Sequence, residues 1–383
     1  MFVSSGTAVP GGLQEVWTEI YDGPDGDADQ GNDIVLDSSG NKYIVGSTKR
    51  KNTGYDILVK KYSRGGGEEW TDIYTGSGRS EDRANAAAID RYSSIYVCGE
   101  SEEGMWLRKY SAGGQAMWTK LERGYHNAKY AATDIAVDSI GNVYVSGKTR
   151  SDYKRKIRIK KYSSRGAEIW TAEYYCGESN FDTGICIDKT GDYLYVTSGL
   201  YVSQGESVWL GKYAAADGTL VWDVKFHGNE GYNDFSRRIA ISDKYAYIIG
   251  ETINTADIKR QQGIWVGKCS LDNGEMSESW PKVFGGSDTG RDIAGDVAVD
   301  KGGNVYLVLG EYTKNGCDIM WRAYDNAGKI IWVERFNGPS GGHDVGWGLA
   351  IGENGSVFTI GTIEIQGRAA SSDIWIAESV IVK

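Results

Sequence analysis

The chain has 383 residues, a formal net charge of −10 and a pI near 5.0. That acidity, with no evident basic patch, argues against nucleic-acid binding. Its five cysteines make no C-x-x-C pair and are odd in number, which argues against a zinc centre and a full disulfide framework. With no run of 18 apolar residues, no membrane insertion is expected.

In chain order, seven tryptophans recur at intervals of about 50 residues: Trp17, Trp70, Trp118, Trp170, Trp222, Trp280 and Trp332. Between them each unit reads as four strands. Strand a is Asn32 to Asp37 in the first unit and Thr133 to Asp138 in the third, with a small residue often at its middle. Asp/Asn/Gly turns follow, such as Asp300-Lys-Gly-Gly-Asn304. Strand b carries an aromatic in every unit (Tyr43, Tyr96, Tyr144, Tyr195, Tyr247, Tyr306, Phe358) and is expected to end at a glycine such as Gly46 or Gly250. Strand c alternates, as in Val208-Trp-Leu-Gly-Lys-Tyr213. Strand d holds the next organising tryptophan.

The last unit lacks a strand d, and the first has a surplus strand, Glu15 to Tyr21. Pairing the two closes a ring and removes exposed sheet edges. The expected fold is therefore one all-β domain over residues 1–383. It is a seven-bladed β-propeller of four-stranded antiparallel blades, closed by the N-terminal strand, with 1–13 as an extension. Twelve tryptophans are expected to pack between blades, while Trp347 opens a strand a near the axis. Cys98, Cys186 and Cys269 fall in strands as buried thiols, and the spacing leaves a Cys176–Cys186 bridge open.

The stretch Trp118 to Tyr162 contains Asp134-Ile-Ala-Val-Asp138, Gly141-Asn-Val-Tyr-Val-Ser-Gly147 and a closing Lys-Tyr. Phe284-Gly285-Gly286 through Tyr306 repeats the pattern. These units resemble the SBBP-type beta-propeller repeat of secreted and cell-surface proteins of bacteria and archaea. The resemblance covers nearly all of residues 14–383 and implies the fold while saying little of activity. Units 4 and 5 depart from it, through a lengthened Lys189 to Gly199 and Ser242 in place of Asp. The composition points to a secreted or cell-surface protein whose leader is absent from this numbering, with a cytoplasmic one as the alternative.

Chemistry is expected in the loops from strand d to the next strand a, on a rigid scaffold. The candidate binding residues there are Tyr125, His126, Tyr130, His227, Tyr232, Arg237, Arg291, Asp292, His343, Asp344 and Trp347. Aromatic faces beside carboxylates and guanidinium groups suit sugar rings or a peptide strand. Asp25, Asp27 and Asp29 place carboxylates on alternate residues, as calcium loops do, although Gln30 and Leu36 exclude an EF-hand. The expected function is a non-enzymatic binding or scaffold module for a glycan or a protein. The alternatives are a polysaccharide lyase or hydrolase using His and Tyr at the channel mouth, and a structural subunit with an exposed apolar patch.

Overall fold

The computed structural model describes residues 12–382 except 78–79, 124–128, 152–153, 177–181, 203–204, 227–231, 255–261, 286–289 and 366–371. Among the described residues, the strands form seven antiparallel blades. Their innermost strands a are Asp29–Leu36, Arg83–Ile89, Lys129–Val137, Thr183–Ile187, Tyr232–Ile241, Ile293–Val299 and Val345–Ile351. Blade 7 takes its outer strand from the N-terminal segment: Leu13–Tyr21 pairs with Ser372–Ile381, from Leu13 opposite Ile381 to Tyr21 opposite Ile374. The ring is therefore closed by joining the two ends of the chain. A short segment, Ser80–Glu81, adds a parallel pairing to strand c of blade 1.

The repeated Trp, Tyr, Lys and Gly have one shared purpose, joining each blade to the next. Trp70 meets the strand-b Tyr43 of its own blade edge-on at 6.1 Å, and Tyr96–Trp118 and Tyr306–Trp332 repeat that separation. The Trp70 indole N–H donates to the Ala112 carbonyl in the following blade at 3.1 Å. Gly114 in that same turn has φ +84, and a Cβ there would meet the Trp70 indole at 2.7 Å. Only glycine satisfies both the turn and the ring beneath it. The strand-c lysines Lys61, Lys109, Lys161 and Lys268 are buried and do parallel work: Lys161 donates to the Ala215 carbonyl at 2.8 Å, with its ammonium over Tyr144.

Strand b does not end at its glycine. Lys42–Arg50 runs through Gly46, because strand a opposite it is bulged and bends close. A Cβ on Gly46 would lie 2.0 Å from the Gln30 carbonyl oxygen, and one on Gly250 1.7 Å from that of Phe235. The bulge also lengthens strand a. In blade 1 it begins at Asp29 rather than Asn32, since Asp29, Gln30 and Gly31 pair with Thr48, Ser47 and Gly46.

Two further expectations change. Strand d of blade 5 begins at Lys282, after Trp280, because Pro281 has no N–H for the ladder. Trp280 remains in the core against Tyr247 and Tyr324. All five cysteines are thiols, and Cys186 donates its S–H to the Ile239 carbonyl, so the Cys176–Cys186 bridge is not formed.

Candidate functional site

Among the described residues, six strands a carry a one-residue bulge, at Asn32, Asn85, Thr133, Arg237, Gly295 and Trp347. A bulged residue has no partner on strand b and breaks the in–out alternation of the strand. Five of these six side chains line one cavity on the channel: Asn32, Asn85, Thr133, Arg237 and Trp347. The sixth is Gly295, where a Cβ would meet the Gly346 and Val308 carbonyl oxygens at 2.2 and 2.6 Å. With no side chain on blade 6, Arg237 of blade 5 reaches Trp347 of blade 7, its guanidinium 4.7 Å from the indole centroid.

Beside the bulge, Asp33, Asp134 and Asp296 each clasp the neighbouring blade. They accept the Ala87, Ile185 and Leu349 N–H groups at 2.8, 2.8 and 3.0 Å. The same position in blade 5 is Arg238, which crosses the channel and donates to the Thr133 carbonyl at 3.2 Å and the Asn85 carbonyl at 3.1 Å. Burial alone would lower the Arg238 guanidinium, but Asp134, Asp296 and Asp33 outweigh it and raise its pKa. Burial pushes all three carboxyls up, and Asp296 adds to the push on Asp33. Arg238 is thus the charge-matched floor of the cavity.

The cavity above this floor is about 170 Å³ and is also lined by Gln30, Arg83, Glu100, Lys148 and Asp182. Arg83 donates to the Gln30 amide oxygen at 3.0 Å and pairs with Glu81 at 2.6 Å. Lys148 pairs with Asp182 at 3.0 Å. Burial would raise the Asp182 carboxyl, but Lys148 and Arg237 outweigh it and hold it below the usual carboxylate range. It therefore stays ionised near neutrality, suited to accepting hydrogen bonds and not to donating a proton.

Of the residues singled out in the sequence, the structure brings Arg237 and Trp347 together. Tyr130 is no loop residue: it lies in strand a, 1% exposed, with Cys98, Met105 and Tyr162 in the packing between blades 2 and 3. Asp344 is a buried clasp, accepting the Gly338 N–H at 2.5 Å and the Glu364 N–H at 3.0 Å. Asp292, also buried, accepts the Tyr312 N–H at 2.8 Å. Asp29 and Asp82 hold Gly23 and Gly76 in the same way. The recurring glycine upstream of an Asp was the legible signal for these clasps. Arg291 is exposed outside the cavity lining. His343 is exposed too, its ring 5.5 Å from Tyr312, and does not line the cavity. Tyr125, His126 and His227 lie outside the described residues, as does the side chain of Tyr232.

The alternating carboxylates do not converge. Asp25 accepts the Lys51 N–H at 2.9 Å, and Asp27 pairs with Lys49 at 3.1 Å, while Asp29 turns inward to Gly23. The carboxylates that do meet among the described residues are Asp22, Asp29 and Asp373, with oxygens within 4.8 Å of one another at the closing blade. Such a group can be relieved by a proton or a cation.

Residues 118–154 match the SBBP beta-propeller repeat family. No curated protein matches the chain. Among solved structures it is similar to a protein of unknown function from Dyadobacter fermentans (TM-score 0.55, 11% identity, covering 97% of this chain and 100% of that one). It is also similar to the polysaccharide lyase Uly1 (TM-score 0.55, 10% identity, 95% and 91% covered). A third is the extracellular part of Drosophila Semaphorin 1a (TM-score 0.55, 12% identity, 97% and 89% covered). At these identities the likeness is one of fold, which binding proteins and enzymes share. The seven blades and the closure by the N-terminal strand make the chain a seven-bladed β-propeller, and one of its units, residues 118–154, matches the SBBP beta-propeller repeat.

Proposed function

We propose that the protein is a glycan-binding propeller whose ligand sits in the channel-mouth cavity. The observation that carries this reading is Trp347. Alone among the thirteen tryptophans it lines that cavity, within a ring of amide, hydroxyl, carboxylate and guanidinium groups. An aromatic surface with fixed polar neighbours is what a sugar ring requires. A volume of about 170 Å³ suits one ring of a longer chain better than a protein loop. The ionised, lysine-paired Asp182 favours recognition over acid–base chemistry.

The test is a glycan array followed by calorimetry on the intact protein and on Trp347→Ala. Binding that Trp347→Ala abolishes while the melting curve is kept supports the reading. Absence of binding to every glycan sinks it. New reducing ends or unsaturated products would assign the cavity to an enzyme.

The structural-subunit alternative needs one contiguous apolar patch. Exposed large apolar side chains on the outer strands, among them Val16, Met117, Ile169, Val221 and Ile331, are spread over five blades, which favours the cavity instead.

A further inference from the structure

We propose that the ligand is an acidic glycan, anchored through a carboxylate or sulfate group on Arg237; this rests on the glycan reading above. Four cations line the cavity, and three are already engaged. Arg83 is held by Gln30 and Glu81, Lys148 by Asp182, and Arg238 by two carbonyls above three carboxylates. Arg237 differs. Among the described residues its guanidinium forms no hydrogen bond or close ion pair: it packs on the Trp347 ring, and Asp182 and Glu251 feel its charge only at longer range.

The other polar bulge residues make the contrast plain. Asn32 and Asn85 donate to the Ala84 and Ala132 carbonyls at 2.7 Å, and Thr133 to the Thr183 carbonyl at 3.1 Å. Those side chains close the ring of blades. Arg237 stands on the same kind of bulge but turns toward Trp347 instead of bonding to a carbonyl of the next blade.

The chemistry follows from this cation–π contact. A guanidinium against an aromatic ring is held in orientation, while its N–H donors point outward in its own plane. That fork matches the two oxygens of a carboxylate or sulfate, and a charge-assisted bidentate pair is the strong form of this contact. Trp347 supplies an apolar surface next to the same fork, so a sugar ring bearing the anionic group meets both together. A neutral sugar would leave the donors of Arg237 to water.

The experiment is titration calorimetry of the full chain at low and moderate salt. The probes are uronic-acid oligosaccharides, sulfated neutral oligosaccharides, unsubstituted neutral oligosaccharides and oligoglutamate. The expected result is binding to an acidic oligosaccharide that weakens with salt and drops about 10- to 100-fold in Arg237→Gln. Arg237→Lys should restore only part of the loss, since a point charge lacks the fork. The uronic and sulfated arms identify which oxyanion is read. Neutral oligosaccharides binding as tightly, unaffected by Arg237→Gln, would overturn this inference and leave the glycan reading intact. Oligoglutamate binding in place of any sugar, or no binding at all, would overturn both. Unchanged melting of the two variants separates lost contact from lost fold.

Discussion

Across the channel, the Arg238 guanidinium of blade 5 donates to the Thr133 carbonyl of blade 3 at 3.2 Å. It stands among Asp33, Asp134 and Asp296 and supplies the charge that lets them remain in the channel wall. Arg238→Leu leaves those carboxylates facing one another without a cation. We expect a loss of about 3–5 kcal/mol at pH 7, read by chemical denaturation. The sign of its pH dependence is diagnostic. In the variant the folded-state pKa values lie further above the unfolded ones, so the folded form binds more protons. Its stability should rise as pH falls from 7 toward 4. Adding Asp33→Asn and Asp296→Asn should recover much of the loss at pH 7.

Closure by the N-terminal strand places Trp17 against Tyr62 at 5.5 Å, with the Lys42 ammonium 4.9 Å from its indole. Removing residues 1–21 strips blade 7 of its outer strand and exposes the Ser372–Ile381 edge. The truncated chain should melt well below the intact one and self-associate, seen by calorimetry and light scattering. An unchanged melting curve would contradict the closure.

Burial, with repulsion from Asp22, pushes the Asp29 carboxyl up to about 6. An ordinary unfolded Asp titrates near about 3.9. The folded state therefore binds this proton more tightly, and the contribution of Asp29 improves as pH falls from about 6 to about 4. Asp29→Asn keeps an acceptor for the Gly23 N–H and should flatten this window, with a gain on the order of 1–2 kcal/mol at pH 7. The melting temperature with calcium and with chelator separates proton from cation. A calcium-dependent rise that Asp29→Asn removes would assign the Asp22–Asp29–Asp373 group to an ion.

Trp70 and Trp347 should behave as opposites. Trp70 lies beneath Gly114 of the next blade and stacks on Tyr110 at 5.9 Å, so Trp70→Ala should cost about 3–5 kcal/mol. Trp347 faces the channel, with its indole N–H on the Thr362 hydroxyl at 3.1 Å. Trp347→Ala should cost about 1–2 kcal/mol, the scale of one hydrogen bond and part of a ring's burial. Denaturant midpoints of the two variants check this.

By itself, the sequence determined the blade, its number of copies and the way the ring closes. Those features repeat: the Trp, the strand-b Tyr and the turn Gly recur because each blade meets its neighbour through the same contacts. The termini showed the closure because one strand was missing at one end and surplus at the other. Tertiary structure alone decided the site. Asn32, Thr133, Arg237 and Trp347 come from four blades and share a place in the repeat but no residue type. They meet because a single bulged residue in each strand turns its side chain into the channel. A bulge obeys no alternation, so periodicity reads such a residue as loop or strand with equal ease. The glycine opposite it, such as Gly46, was visible throughout, but its meaning depended on the carbonyl that folding presses against it.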